Sequence, residues 1–257
     1  MTTLPAPIDI LGVQVHPLTV DELHLQLANV IDRDGRARVL HVNVHGLNLA
    51  VEQAWMRDYL NEAEIVFCDG SGVILGARLL GRHIPQRITY ADWMWQLAEF
   101  AVEHDYSLYF LGAKPGVAQA AADRLLAHFP TLKITGVQHG YFDRLRGSAE
   151  NNAVIGHINE ARPNILLVGM GMPLQEQWLC ENWDCLNVNI ALTGGAVFDY
   201  MSGELQRAPR WMTNHGLEWL GRLLIEPGRL WKRYLVGNPL FLGRVVQARM
   251  RPPRQSR

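Results

Sequence analysis

Asp69 stands directly after the apolar run Ile65-Val66-Phe67-Cys68 and directly before Gly70-Ser71-Gly72. A carboxylate at the end of a buried strand, followed by residues too small to block a ligand, is placed to serve as a general base, because that role needs a fixed reach to a substrate proton. The same position suits an aspartate that caps a helix beginning near Val73, and the pattern is equally compatible with both roles. Upstream, His41-Val42-Asn43-Val44-His45 reads as strand, which puts His41, Asn43 and His45 on one face through the period of two. The two histidines have no third ligand at a zinc-binding spacing, so hydrogen bonds within the core or to a substrate are the expectation for that face.

The remaining chemistry sits in glycine-bearing turns. Gly112-Ala113-Lys114-Pro115-Gly116 leads into a helix from Val117, and its amides could cradle a diphosphate with Lys114 adding positive charge. No Gly-Lys-Ser/Thr follows, so this is not a Walker loop. Gly169-Met170-Gly171 begins like a dinucleotide fingerprint, but Leu174 stands in the third glycine's place and no acid lies near Asn189 to hold a ribose, which disfavours a nicotinamide enzyme. After Pro173, Gln175 and Glu176 open a helix, either as substrate contacts or as ordinary first-turn polar residues. Gly194 belongs to a further turn, Thr193-Gly194-Gly195. Asp32-Arg33-Asp34 has the form of a metal-holding DxD motif, yet it precedes the first strand of the body and so falls at the amino edge. No metal and no cofactor are assigned, which leaves Arg, Lys and amide donors to stabilise any departing diphosphate.

These residues need elements to position them. Short β-branched runs near 39–44, 65–68, 108–111, 133–137, 165–168 and 188–192 alternate with helical patterns over 20–32, 47–61, 93–104, 117–129 and 151–162. That alternation predicts a Rossmann-like α/β fold with an open, mostly parallel sheet flanked by helices. The glycine turns all fall at the carboxyl ends of the strands, the edge where ligands bind in such sheets.

With 48% hydrophobic and 19% charged residues, the composition is that of a globular protein. Three cysteines in no CxxC spacing suit a reducing compartment, and neither a signal peptide nor a run of the ~18 apolar residues of a spanning helix is evident. The net charge of -1 hides a division at Arg207: residues 207–257 contain eleven Lys/Arg against Glu218 and Glu226, and the first 206 residues are correspondingly acidic. Within that tail Leu217, Leu220, Leu223 and Leu224 form a helical stripe, a second helix starts at Pro227 with Leu230, Trp231, Tyr234 and Leu235, and a third starts at Pro239. We therefore divide the chain into an α/β domain over 1–206 and a basic amphipathic helical appendage over 207–257. The appendage is expected to dock on an anionic leaflet, which places the protein in the cytoplasm at the inner face of the plasma membrane. An acidic body without a recognised motif argues against nucleic acid.

Several blocks together, Asp69-Gly70-Ser71-Gly72-Val73, Phe110 to Gly116, Val168 to Glu176, Gly195 to Tyr200, and the run from Arg207-Ala208-Pro209 to Gly237-Asn238-Pro239, resemble the WecG/TagA/CpsF family of bacterial glycosyltransferases. The resemblance implies an inverting, metal-independent transfer from a UDP-sugar to a polyprenyl-diphosphate-linked sugar in cell-envelope or exopolysaccharide synthesis. It implies that Asp69 is the base and that His41, Asn43, Arg87 and Gln175 contact sugar. Gly112, Ala113, Lys114, Gly169, Gly171, Gly194 and Asp199 would lie on the nucleotide side, and Arg207, Arg210, Arg222 and Arg229 would meet the donor or lipid diphosphate. His41 stands where many members have Thr and Tyr90 where they have Gly, which leaves N-acetylmannosamine, glucuronic acid, glucose and galactose open as the donor sugar and leans toward the exopolysaccharide branch. A homo-oligomer is compatible with this reading. The competing reading is a membrane-associated UDP-sugar-binding or scaffold protein without turnover.

Overall fold

The computed structural model describes residues 4–250. A small antiparallel hairpin, β1 (Ile8–Ile10) and β2 (Val13–Val15), comes first, and no alternation in the sequence had marked it. Next is α1 (Val20–Ile31), started by a reciprocal capping box between Thr19 and Glu22. The body then runs β3 (Ala37–Val42), α2 (Val44–Glu52), α3 (Ala54–Glu62), β4 (Ile65–Cys68), α4 (Ser71–Leu79), α5 (Tyr90–Glu103), β5 (Ser107–Gly112), α6 (Val117–His128), β6 (Lys133–Gln138), α7 (Ala149–Ala161), β7 (Ile165–Gly169), α8 (Leu174–Asn182), β8 (Ile190–Thr193) and α9 (Val197–Ser202). The C-terminal segment adds α10 (Arg210–Asn214), α11 (Glu218–Ile225), α12 (Pro227–Trp231) and α13 (Gly237–Met250), the last two joined through a π turn over Lys232–Val236.

Strands β3 to β8 form one parallel sheet in the order β4-β3-β8-β7-β5-β6, the Rossmann-like arrangement expected. Strands β4, β5, β7 and β8 are apolar on both faces because helices cover both, whereas the edge strand β6 carries the exposed Lys133 and Thr135. Val39, Phe67, Phe110, Leu167 and Leu192 point into one layer with α1, α5, α6 and α9. Leu40, Val66, Leu111, Val168 and Ala191 point into the other with α2, α3, α4, α7, α8 and α13. The C-terminal helix is thus part of the core: Phe241 lies so close over Gly76 of α4 that a Cβ there would come within 2.6 Å of its ring.

Three local expectations fail. The strand expected over 39–44 stops at Val42, and Asn43 becomes the N-cap of α2, its Oδ1 accepting from Gly46 N at 3.1 Å. The polar face of His41, Asn43 and His45 therefore does not exist, because an Asn that can satisfy a free helical amide starts a helix in preference to extending a strand. The helix expected over 47–61 breaks at Gln53, which is extended (φ -126°, ψ 109°) between α2 and α3. Pro239 does not start a helix but sits in the first turn of α13, continuous with α12. The π turn directly upstream widens the backbone where the proline ring would otherwise meet the carbonyl four residues back.

Candidate active site

All six strands end at one edge, and the backbone there is stitched across the sheet. Asp69 N donates to Val42 O (2.9 Å), Ala113 N to Gly169 O (2.9 Å) and Gly194 N to Val168 O (2.7 Å). Gly112, at φ 145°, approaches β7 so closely that a Cβ would lie 2.2 Å from Gly169 O, so only glycine fits. Behind these turns Gln175 is fully buried. Its Oε1 accepts from Gly171 N (3.2 Å) and Gly195 N (2.9 Å), tying the turn after β7 to the turn after β8, and its Nε2 donates to Glu176 Oε1 (2.7 Å). Glu176 is equally buried, its Oε2 has no hydrogen-bond partner among the described residues, and burial pushes its pKa up to about 7.

Asp69 occupies the turn between β4 and α4 with 18% of its side chain exposed, and its Oδ1 makes no hydrogen bond among the described residues. Desolvation lifts its pKa to about 7; the Thr89 hydroxyl draws it down, Glu218 pushes it up, and Arg87 and Arg222 draw it down again. Such a carboxyl exchanges a proton near neutrality. His41, at the end of β3, presents Nε2 3.8 Å from Asp69 Oδ2 and is held by burial at about 4, so its ring is neutral. Asn43 packs against the same turn, with its Cβ 3.5 Å from where a Cβ of Gly70 would be.

The C-terminal segment brings cations and two carboxylates, Glu218 and Glu226, to this edge. Arg87 donates to Glu218 Oε2 (2.7 Å) at the start of α11 and lies 3.4 Å from Ser71 Oγ. Arg207 pairs with Asp92 and stands 3.9 Å from Glu218. Arg222 sits over the Tyr200 ring (5.5 Å to the centroid) and 3.9 Å from Glu226, which Arg229 also engages at 2.7 Å. Lys114, Asp199, Glu226 and Arg229 line a cleft of about 200 Å³, in which burial raises the Asp199 pKa while Arg229 and Lys114 oppose the rise. A larger cleft of about 440 Å³, between α5, α6 and α9, lies against Trp95, Arg124, Tyr200 and Arg207 but includes neither Asp69 nor His41. The side chain of Arg210, and residues Arg251, Arg254 and Arg257, lie outside the described residues.

Sequence reasoning missed one cation. Arg233, in the π turn, is set over the Tyr234 ring and makes no ion pair among the described residues. Burial and the neighbouring Arg222 and Arg229 lower its pKa, and Asp69 opposes them. Its field also depresses the titration of His41 and His45. The available signal was spacing: Arg222, Arg229 and Arg233 recur at seven and four residues, one face of a helix. Asp32-Arg33-Asp34 ends α1 at the opposite edge, with Asp32 accepting from the Tyr106 hydroxyl at 2.5 Å. Among the described residues no group of three or more His, Cys, Asp or Glu side chains is arranged to hold a metal ion.

The fold and site thus define a Rossmann-like α/β protein in which a carboxyl titrating near neutrality lies at the carboxyl edge of the sheet beside guanidinium groups of a C-terminal helical segment. The chain belongs to the WecG/TagA/CpsF family of glycosyl transferases, whose sequence profile matches residues 8–255. It is similar to the N-acetylglucosaminyldiphosphoundecaprenol N-acetyl-beta-D-mannosaminyltransferase of Bacillus subtilis (strain 168), at 29% identity over 205 residues, 80% of this chain and 77% of that protein. To the protein of the same name in Staphylococcus aureus (strain NCTC 8325 / PS 47) it is 26% identical over 250 residues, 95% of this chain and 94% of that protein.

Proposed function

We propose that the protein is an inverting glycosyltransferase that moves a hexose-type sugar from a UDP-sugar to a polyprenyl-diphosphate-linked acceptor in cell-envelope or exopolysaccharide synthesis. The observation that carries this reading is Asp69, a desolvated carboxyl with an unpartnered oxygen, poised to ionise near pH 7 beneath a group of arginines. In its ionised form Asp69 takes the proton of the acceptor hydroxyl as that oxygen attacks the anomeric carbon. The bond from the anomeric carbon to the UDP oxygen breaks, and the charge departs on UDP. A positioned base of this kind contributes ~10²–10⁴-fold.

The leaving diphosphate gathers negative charge, so Lys114, Arg222, Arg229 and Arg233 are assigned to it, with backbone amides of the turns at Gly112, Ala113, Gly169, Gly171 and Gly194. Asp199, in the cleft with Lys114 and Arg229, is assigned to the nucleotide side. Arg87 and Asn43, beside Asp69, are assigned to sugar, and Arg207 and Arg210 to the lipid diphosphate. Arg207 would exchange Asp92 for phosphate when it binds. Gln175 we assign a supporting role, holding the two glycine turns in register instead of touching substrate, because all its bonds run inward.

Residues 207–257 we read as one docking unit at the cytoplasmic leaflet. No helix among the described residues is long and apolar enough to cross a membrane. Trp211, Leu224, Trp231, Leu235 and Val236 are nevertheless exposed on this basic segment, a combination suited to the headgroup plane.

The test is turnover of UDP-glucose, UDP-galactose, UDP-glucuronic acid and UDP-N-acetylmannosamine with a short-chain polyprenyl-diphosphate-N-acetylglucosamine, read by mass spectrometry. Asp69→Asn is expected to abolish transfer while UDP affinity holds and the unfolding temperature does not fall. Undiminished transfer in that variant removes the base, and UDP-sugar binding without turnover by the wild type supports the scaffold reading instead.

A further inference from the structure

His41 lies beside Asp69 across the β3–β4 pair of the sheet, and its environment leaves it a single hydrogen-bonding role. Its Nδ1 lies 2.6 Å from the carbonyl oxygen of Thr193, at the end of the adjacent β8, and 3.0 Å from Thr193 Oγ1. A carbonyl oxygen only accepts, so Nδ1 carries the hydrogen. The backbone N–H of His41 also donates to Thr193 Oγ1 (3.2 Å), and the ring packs beside Phe67 (6.2 Å) and Tyr90 (5.5 Å), so turning it over would forfeit both ring contacts to Thr193. With the ring neutral, the second nitrogen, Nε2, is a bare acceptor, and it faces Asp69 Oδ2 at 3.8 Å.

Taking Asp69 as the base, we propose that His41 is its positioning residue: locked by Thr193, it offers Nε2 as the acceptor for the Asp69 carboxyl once that carboxyl has taken the acceptor-hydroxyl proton. A small turn of the carboxyl closes 3.8 Å to hydrogen-bond distance. No charge moves onto His41. Oδ2 itself takes that proton, and its O–H turns from the acceptor oxygen toward Nε2 while the glycosidic bond forms and UDP leaves. A bare acceptor favours the protonated carboxyl over the carboxylate, so His41 raises the midpoint of Asp69. Burial and Glu218 act in the same direction; Thr89, Arg87, Arg222 and Arg233 oppose, and Cys68, Tyr90 and Tyr200 are kept neutral around them.

The test is the pH profile of kcat/KM with whichever donor of the panel above turns over, together with ¹⁵N chemical shifts of His41 in the wild-type chain. In His41→Phe the acid limb moves down by about one pH unit, the worth of one hydrogen bond. In the same variant kcat falls about tenfold and the donor KM holds. His41→Gln, whose amide oxygen can accept, returns the limb toward wild type. Lower kcat with an unmoved or upward-shifted limb in His41→Phe overturns the proposal while leaving Asp69 as the base, provided Asp69→Asn is inactive. Transfer by Asp69→Asn removes the base reading itself. Independently of any variant, the ¹⁵N shifts are expected to show a neutral, Nδ1-protonated ring from pH 5 to 8; an Nε2-protonated ring overturns the assignment.

Discussion

Replacing Gln175 with leucine distinguishes a residue that holds the site together from one that touches the sugar. The substitution keeps a buried side chain of similar size but removes the acceptor for Gly171 N and Gly195 N and the donor to Glu176. The two amide bonds are part-buried and neutral, worth ~0.5–1.5 kcal/mol each, and the bond to the Glu176 carboxyl ~1.5–3 kcal/mol. Leucine recovers part of this through apolar burial, so the net loss is about 2–4 kcal/mol at a pH where Glu176 is ionised. For a chain of this size that corresponds to a fall of roughly 5–15 °C in Tm. Calorimetry at pH 8 reads it directly. Adding Glu176→Leu to Gln175→Leu removes both ends of the strongest bond and recovers part of the loss, since a partner left alone costs more than a pair removed together. A Tm within 2 °C of wild type combined with a large rise in donor KM would refute the reasoning and make Gln175 a substrate contact.

Asp69 and Glu176 both have folded pKa values raised to about 7, so the stability associated with their neutral forms is complete below the ordinary carboxylate range and is lost as pH rises through about 7. Glu176→Gln should therefore match wild type near pH 4 and exceed it by ~1–3 kcal/mol at pH 8 in urea melts, if its amide keeps the bond to Gln175. Arg233→Ala is expected to raise the UDP-sugar KM by about 10–100-fold, the loss of a charge-assisted contact, and to move the acid limb of kcat/KM upward because a cation near Asp69 is gone; an unchanged KM and limb would separate Arg233 from the site. Leu235→Glu with Val236→Glu, at positions 56% and 54% exposed, should cut co-sedimentation with phosphatidylglycerol vesicles at least tenfold without lowering Tm.

Much of the architecture was legible because its signals are local. Period-two and period-3.6 apolar patterns, with glycine turns between them, marked the six strands of the sheet and the carboxyl edge that bears Asp69. The basic, tryptophan-bearing tail showed itself through charge counting alone. Local signals mislead where two local structures compete, as at Asn43, where a side chain able to cap a helix outweighed a β-branched run.

What only the tertiary structure decided is pairing across the chain. Arg87 meets Glu218 at a separation of 131 residues, and Thr193 fixes the ring of His41 at a separation of 152. Gln175 and Glu176 looked like first-turn polar residues open to solvent or ligand, and in the fold both are fully buried, Gln175 bonded to the turn after β8 and Glu176 bonded to Gln175. Arg233 comes within electrostatic reach of Asp69 from a π turn of the C-terminal helix, which Phe241 anchors over Gly76. The residue types that do chemistry were thus determined by the sequence. Their protonation, orientation and partners depend on desolvation and on contacts between distant segments, which no local pattern encodes.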